Sequence, residues 1–295
     1  MKILIYGQAK TGTTILYFKI RAAIEKKFPN VNFTYAMEPK DIEVKGETRE
    51  FVFFSPKKNQ QFAEDMVVKA LLPNHNNVGF PIALAKNFEA DKKILIIRDP
   101  RDRWISSFFY RWYQQSKTQP EEFQKKVRLI QLKEQNPDLL PMFALHSFDL
   151  EAQQNMISNQ RQLMQSLLEF KAYAEANGWH IFKYEDLIDN NFAGLNEFLG
   201  LEISDGEVPE QLKRVTRSKA ANNWRIWFTE DDVPVFKQIF QEYLTPLGYD
   251  AEDWALTKVD KINAEHGSAY MRSLKEMNEE TTAKPQSKFL GWLRK

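Results

Sequence analysis

Apolar positions fall in short runs along the chain, and the runs alternate with longer stretches of helical spacing. Residues 2–6 (KILIY) form an apolar run that stops at Gly7 and read as a buried strand. Residues 13–28 then place Ile15, Leu16, Ile20, Ala23, Ile24 and Phe28 near helical spacing. Further strands are predicted at 31–37, 51–54, 66–72, 93–97 and 180–184. The run at 93–97 (KILII) is apolar enough to be buried on both faces. Helical patterns occupy 103–115, 120–135, 152–175, 191–198, 207–215 and 230–245. Strands alternating with helices predict an α/β fold: a central, mostly parallel sheet flanked by helices.

One domain is expected over 1–257, with a polar helical insert at about 114–150. From 258 to 295 the chain turns polar and reads as a loosely held C-terminal extension. Its last residues, FLGWLRK, mix apolar and basic side chains, so docking to a partner or a membrane surface is the other reading.

Composition narrows the chemistry. The 295 residues include no cysteine, which excludes disulfides, thiolate metal sites and a cysteine nucleophile. Lys+Arg number 41 against 40 Asp+Glu. A formal charge of +1 gives no global attraction to nucleic acid, so any anion site must be local. No apolar stretch approaches the ~18 residues of a membrane span. The N-terminal run is too short for a signal peptide, and a cytoplasmic location is expected. Oligomeric state is not legible at this level.

Two local anion signals stand out. Gly7-Gln8-Ala9-Lys10-Thr11-Gly12-Thr13-Thr14 lies between a strand and a helix. A helix start offers open backbone N–H groups and partial positive charge, Lys10 adds a full charge, and the threonines add hydroxyls. This is not the Walker pattern, which needs lysine directly after the second glycine; here Thr13 stands there. The second signal, Arg98-Asp99-Pro100-Arg101-Asp102-Arg103, follows the strand KILII at a sheet edge where open α/β folds bind ligands. Asp99-Pro100 suits the turn into a helix, and Ser106 lies about two helical turns on. A guanidinium fork with a hydroxyl suits a terminal phosphate.

Together these motifs resemble the sulfotransferase family. Lys10 to Thr14 match its first loop, and Arg98 with Ser106 eight residues later match its second motif. Tyr184-Glu185-Asp186-Leu187 is similar to its Tyr-Glu-Asp-Leu segment. The stretch from Arg217 through Trp224 and Arg225 to Phe228-Thr229 resembles its C-terminal segment, and Leu247-Gly248-Tyr249 resembles the end of its last core helix.

The resemblance runs in order from about 2 to 250 and implies a fold like that of P-loop nucleoside triphosphate hydrolases. It also implies transfer of a sulfuryl group from 3'-phosphoadenosine-5'-phosphosulfate to an acceptor hydroxyl or amine, releasing adenosine 3',5'-bisphosphate. On this basis Lys10, Thr11, Gly12, Thr13 and Thr14 hold the 5'-phosphosulfate. Lys10 also stabilises charge on the bridging oxygen. Arg98, Ser106 and Arg217 clamp the 3'-phosphate, Tyr184 lies near the adenine, and Trp224 orders the C-terminal loop over the donor.

The chain also departs from the pattern. Ile15 stands where an aromatic residue often stacks on the adenine, and Ser218, Lys219 and Asn222 replace Lys, Gly and Gly. The catalytic histidine of small-molecule members aligns with Leu71. Two bases therefore remain open. Glu38, in a Glu-Pro pair after the second strand, is nearer to the carbohydrate-type members; His75 lies four residues beyond Leu71. Lys69 is placed to hold the transferring sulfate. No metal is expected.

The acceptor is read as a carbohydrate or small molecule, and Phe108, Phe109, Tyr110, Trp112 and Tyr113 are candidates to shape its cleft or the core. A P-loop-type nucleotide kinase and a non-catalytic module binding the bisphosphate are the alternatives.

Overall fold

The computed structural model describes all residues except 39–40, 46–47, 53–63, 73–78, 87, 147–149, 205, 207, 210–217, 219 and 284–295. For 41–45, 48–52, 80, 84, 150 and 278–283 it describes the backbone only. Strand β1 (Lys2–Gly7) runs parallel to β5 (Asp65–Leu71) on one side and to β6 (Lys92–Ile97) on the other. Strand β2 (Phe33–Met37) pairs with β5, and β7 (His180–Lys183) pairs with β6, both in parallel. The five-stranded sheet has the order β2-β5-β1-β6-β7. From β1 the chain crosses to β2 at one edge, returns inward to β5, and then continues to β6 and β7 on the other side, so the C-terminal end of β1 is a topological switch point.

Each central strand is apolar on both faces because both faces are covered. Ile3 and Ile5 of β1 pack with Leu16, Ile20 and Ile24 of α1 (Thr13–Lys27) and with Leu187 and Leu195. The alternate residues, Leu4 and Tyr6, face a larger core on the other side. That core takes Trp104, Phe108, Phe109 and Trp112 from α3 (Pro100–Ser116) and Phe123, Val127 and Ile130 from α4 (Pro120–Gln135). It also takes Met164, Leu167 and Phe170 from α6 (Leu150–Ala176) and Phe236, Ile239 and Phe240 from α10 (Asp232–Leu244). Helices α2 (Gly79–Lys86), α5 (Met142–His146), α7 (Tyr184–Ile188), α8 (Ala193–Leu199) and α9 (Trp224–Trp227) complete this part of the chain.

Two sequence expectations change, and a third lies mainly outside the described residues. Of the run at 51–54, the described residues 51–52 do not join the central sheet. The run overlaps β4 (Thr48–Val52), which pairs antiparallel with β3 (Asp41–Lys45) in a separate hairpin. The helix expected at 207–215 falls mainly on residues outside those described. The second change is the C-terminal segment, whose described part is helical and packed rather than loose. Helix α11 (Ser268–Ala283) buries Tyr270, Met271 and Leu274 in the larger core and packs on α3 and α4. Glu134 of α4 pins its start, accepting from the Ser268 N–H and hydroxyl at 2.6 Å each. Three apolar side chains in little more than one turn leave too short a pattern to see in a polar stretch. Among the described residues, no helix is long and apolar enough to cross a membrane.

Candidate active site

The loop after β1 is shaped by two left-handed residues. Lys10 has φ 72° and Gly12 has φ 87°. Such a φ is unusual for lysine and marks a conformation held by its surroundings. Part of the hold is visible: Thr11 donates both its hydroxyl (2.7 Å) and its N–H (3.3 Å) to the Gln8 carbonyl, closing the loop. Thr11 is buried, and its side chain closes the loop beside the cleft. Gly12 sits at the start of α1 with no side-chain cap. A Cβ there would lie 2.7 Å from Tyr184 Cδ2 and 3.0 Å from Leu187 Cδ2. The helix start with its open N–H groups therefore abuts Tyr184 with no space to spare.

A cleft of about 200 Å³ opens over this loop. Lys10, Gly12, Thr13, Thr14 and Ile15 form one side; Arg98, Ser106, Tyr110, Tyr184 and Ser218 form another; Glu38, Lys69 and Leu71 form the third. Elements distant in sequence thus converge at the C-terminal ends of β1, β2, β5 and β6. Three cations (Lys10, Lys69, Arg98) face one carboxylate (Glu38) among the described lining residues, so the cleft suits an anion.

The three arginines after β6 divide their work. Arg98 is only 5% exposed. It donates from Nη1 to the Lys10 carbonyl at 3.1 Å and from Nη2 to Asp102 Oδ2 at 3.4 Å, and lies 4.0 Å over the Tyr184 ring. Its buried Nε has no partner among the described residues. Arg101 turns away, pairs with Asp99 at 2.7 Å and lies between Trp224 and Trp254. Arg103 is buried, and burial together with Arg111 and Arg98 pushes it down to about 10. Trp224 is fully buried and stands off the cleft wall. Its backbone N–H donates to Asp102 Oδ1 at 2.9 Å, which ties the start of α9 to α3.

Glu185 fastens the frame. It accepts from the Asp99 N–H at 3.1 Å and the Tyr249 hydroxyl at 2.9 Å, joining three sequence motifs. Burial raises both Glu185 and Tyr249 above their ordinary values. Tyr184 lies against Arg98 and donates to the Ser218 carbonyl at 3.2 Å.

Lys69 is 4% exposed and donates to Glu38 Oε1, while the Glu38 N–H donates to the Lys69 carbonyl at 2.6 Å. Glu38 also has a left-handed φ of 51°. Leu71 does line the cleft, so the position aligned with a catalytic histidine faces the site with an apolar side chain. His75 and Arg217 lie outside the described residues. Burial and Arg111 push His146 down to about 4, and it is not at the cleft. Of the aromatic residues 108–113, Phe108, Phe109, Trp112 and Tyr113 are core, and Tyr110 lines the cleft.

One neighbour of the site was missed from sequence. Tyr270 of α11 accepts a hydrogen bond from Lys10 Nζ at 3.3 Å. Nothing local in the sequence marks a contact across 260 positions. Among the described residues, no group of three or more His, Asp or Glu side chains is placed to hold a metal ion.

None of the curated proteins compared with the chain matches it. A family model does: that of the sulfotransferase domain, over residues 1–233. This span carries the whole five-stranded sheet and every cleft-lining residue named above. With the switch-point loop and the Arg98–Ser106 pair in one cleft, the chain belongs to the sulfotransferase family.

Proposed function

We propose that the cleft binds 3'-phosphoadenosine-5'-phosphosulfate and transfers its sulfuryl group to an acceptor hydroxyl, with a carbohydrate as the acceptor class. The observation that carries this reading is the convergence of two anion sites on one cleft. One is the Lys10–Thr14 helix start; the other is Arg98 with Ser106. A nucleotide carrying phosphate on both 5' and 3' sides needs two such sites. The Arg98 Nε, buried and without a partner among the described residues, supports it. Lys10, Gly12, Thr13 and Thr14 hold the 5'-phosphosulfate. Arg98 and Ser106 hold the 3'-phosphate, with Arg217 as their third member. Tyr184 stands beside the adenine.

Glu38 is the base. It takes the proton of the acceptor hydroxyl as the oxygen bonds to sulfur. On the opposite side the bond from sulfur to the bridging oxygen breaks, and adenosine 3',5'-bisphosphate leaves with that oxygen and its charge. Lys10 stabilises the charge, and Lys69 orients Glu38 and steadies the sulfuryl oxygens. The kinase reading is disfavoured because Asp99, its candidate magnesium ligand, gives both carboxylate oxygens to Arg101.

The test of the base is Glu38→Gln, assayed by bisphosphate release from the phosphosulfate donor with a panel of sugar acceptors. Transfer is expected to fall about 100-fold, with bisphosphate affinity little changed. Wild-type turnover in this variant would remove Glu38 from the reaction and make His75→Gln the next substitution.

A further inference from the structure

Lys10 lines the cleft, and its ammonium is engaged by two tyrosines. Its Nζ lies 4.4 Å from the centroid of the Tyr110 ring and donates to the Tyr270 hydroxyl at 3.3 Å. Tyr110 comes from α3 and Tyr270 from α11, so the ammonium is held at the seam between these two helices. Tyr270 is 5% exposed, and its helix is anchored by Met271, Leu274 and the Glu134–Ser268 bonds. Its hydroxyl is therefore carried on a rigid mount. The Lys10 backbone is fixed as well, by its left-handed φ and by Arg98 on its carbonyl. A flexible four-carbon side chain is thus defined at both ends. α11 lies beyond residue 233, outside the span matched by the family model.

We infer that Tyr270 is a positioning residue for Lys10, and that α11 is a working part of the active site. The Tyr270 hydroxyl accepts from the ammonium while the Tyr110 ring attracts the same charge from its face. Together they set where the cation waits and limit the orientations it must give up when charge develops on the donor. The role of Lys10 rests on the function proposed above; the contact itself does not.

Two measurements on the full chain separate these levels. The first uses no donor: the labelling rate of Lys10 by an amine-reactive reagent, read by peptide mass spectrometry. Tyr270→Phe keeps the ring and removes the acceptor, and labelling is expected to rise about fivefold. An unchanged rate in a folded variant overturns the inference.

The second is a double-mutant cycle on bisphosphate release from the phosphosulfate donor, with water as acceptor and sulfate as the other product. Tyr270→Phe is expected to lower kcat about tenfold and the donor KM less than about threefold. In a Lys10→Met background the same change is expected to have no further effect. An equal tenfold loss in both backgrounds would mean that Tyr270 acts through the fold, and would overturn the inference. Faster labelling together with no donor turnover in the wild type would support the hold on Lys10 and overturn the proposed reaction instead.

Discussion

Lys10→Met is expected to slow sulfuryl transfer on the order of 1,000-fold. The reaction leaves charge on the bridging oxygen of the donor, and a cation already in place stabilises that charge without reorganising water. Removing one such preorganised donor typically costs about 100- to 1,000-fold in kcat. A full charge on a half-buried side chain belongs at the upper end. Bisphosphate affinity should fall far less, about tenfold, because the helix start at Thr13 and Thr14 and the Arg98–Ser106 pair remain. Rates of bisphosphate release from the phosphosulfate donor, set beside calorimetric affinities, check the split. Equal losses in both would make Lys10 a binding residue only.

Gly12→Ala is expected to weaken both the fold and the donor site. The residue has φ 87°, which an L side chain rarely adopts, at a cost of about 1–3 kcal/mol. The new Cβ would also meet Tyr184 at 2.7 Å and Leu187 at 3.0 Å. Tyr184 lies against Arg98 and donates to the Ser218 carbonyl, so it has little freedom to retreat. Overpacking adds about 1–3 kcal/mol. A total near 3 kcal/mol should appear in denaturant unfolding, and bisphosphate affinity should drop more than about 100-fold as Tyr184 and Arg98 are displaced. Ala at this position with wild-type stability and affinity would mean that the loop has a different shape.

Much of the fold was legible because β1, β5 and β6 are apolar on both faces. Their hydrophobic runs identify them without any knowledge of the partner layers. Helices α3, α4, α6 and α10 carry long apolar faces and were equally plain. The hairpin β3–β4 and helix α11 were not. FVFF reads as a strand on hydrophobicity alone, yet the strand it overlaps pairs, among the described residues, with its sequence neighbour and not with the central sheet. α11 hides three buried residues in a polar stretch.

The site divides in the same way. Lys10, Gly12, Arg98, Ser106 and Tyr184 follow from motifs that pair a residue type with a place at a strand end, and the structure brings all five to one cleft. Trp224 and Thr11 carried motif signals of equal strength. The tryptophan is fully buried, and the Thr11 hydroxyl closes the Gln8–Thr11 turn. Tyr270 carried no signal, because its meaning depends on a contact between the two ends of the chain.

The most direct test of the donor site is calorimetric titration with adenosine 3',5'-bisphosphate, adenosine 5'-phosphate and ATP with magnesium. The bisphosphate is expected to bind at least about 100-fold more tightly than the 5'-phosphate, since a clamped 3'-phosphate gains charge-assisted bonds worth roughly 1.5–3 kcal/mol each. Arg98→Ala should erase most of that difference and leave the 5'-phosphate affinity nearly unchanged. Equal binding of the two adenosine nucleotides, or binding only of ATP with magnesium, would contradict the assignment of the cleft to a 3'-phosphorylated sulfuryl donor.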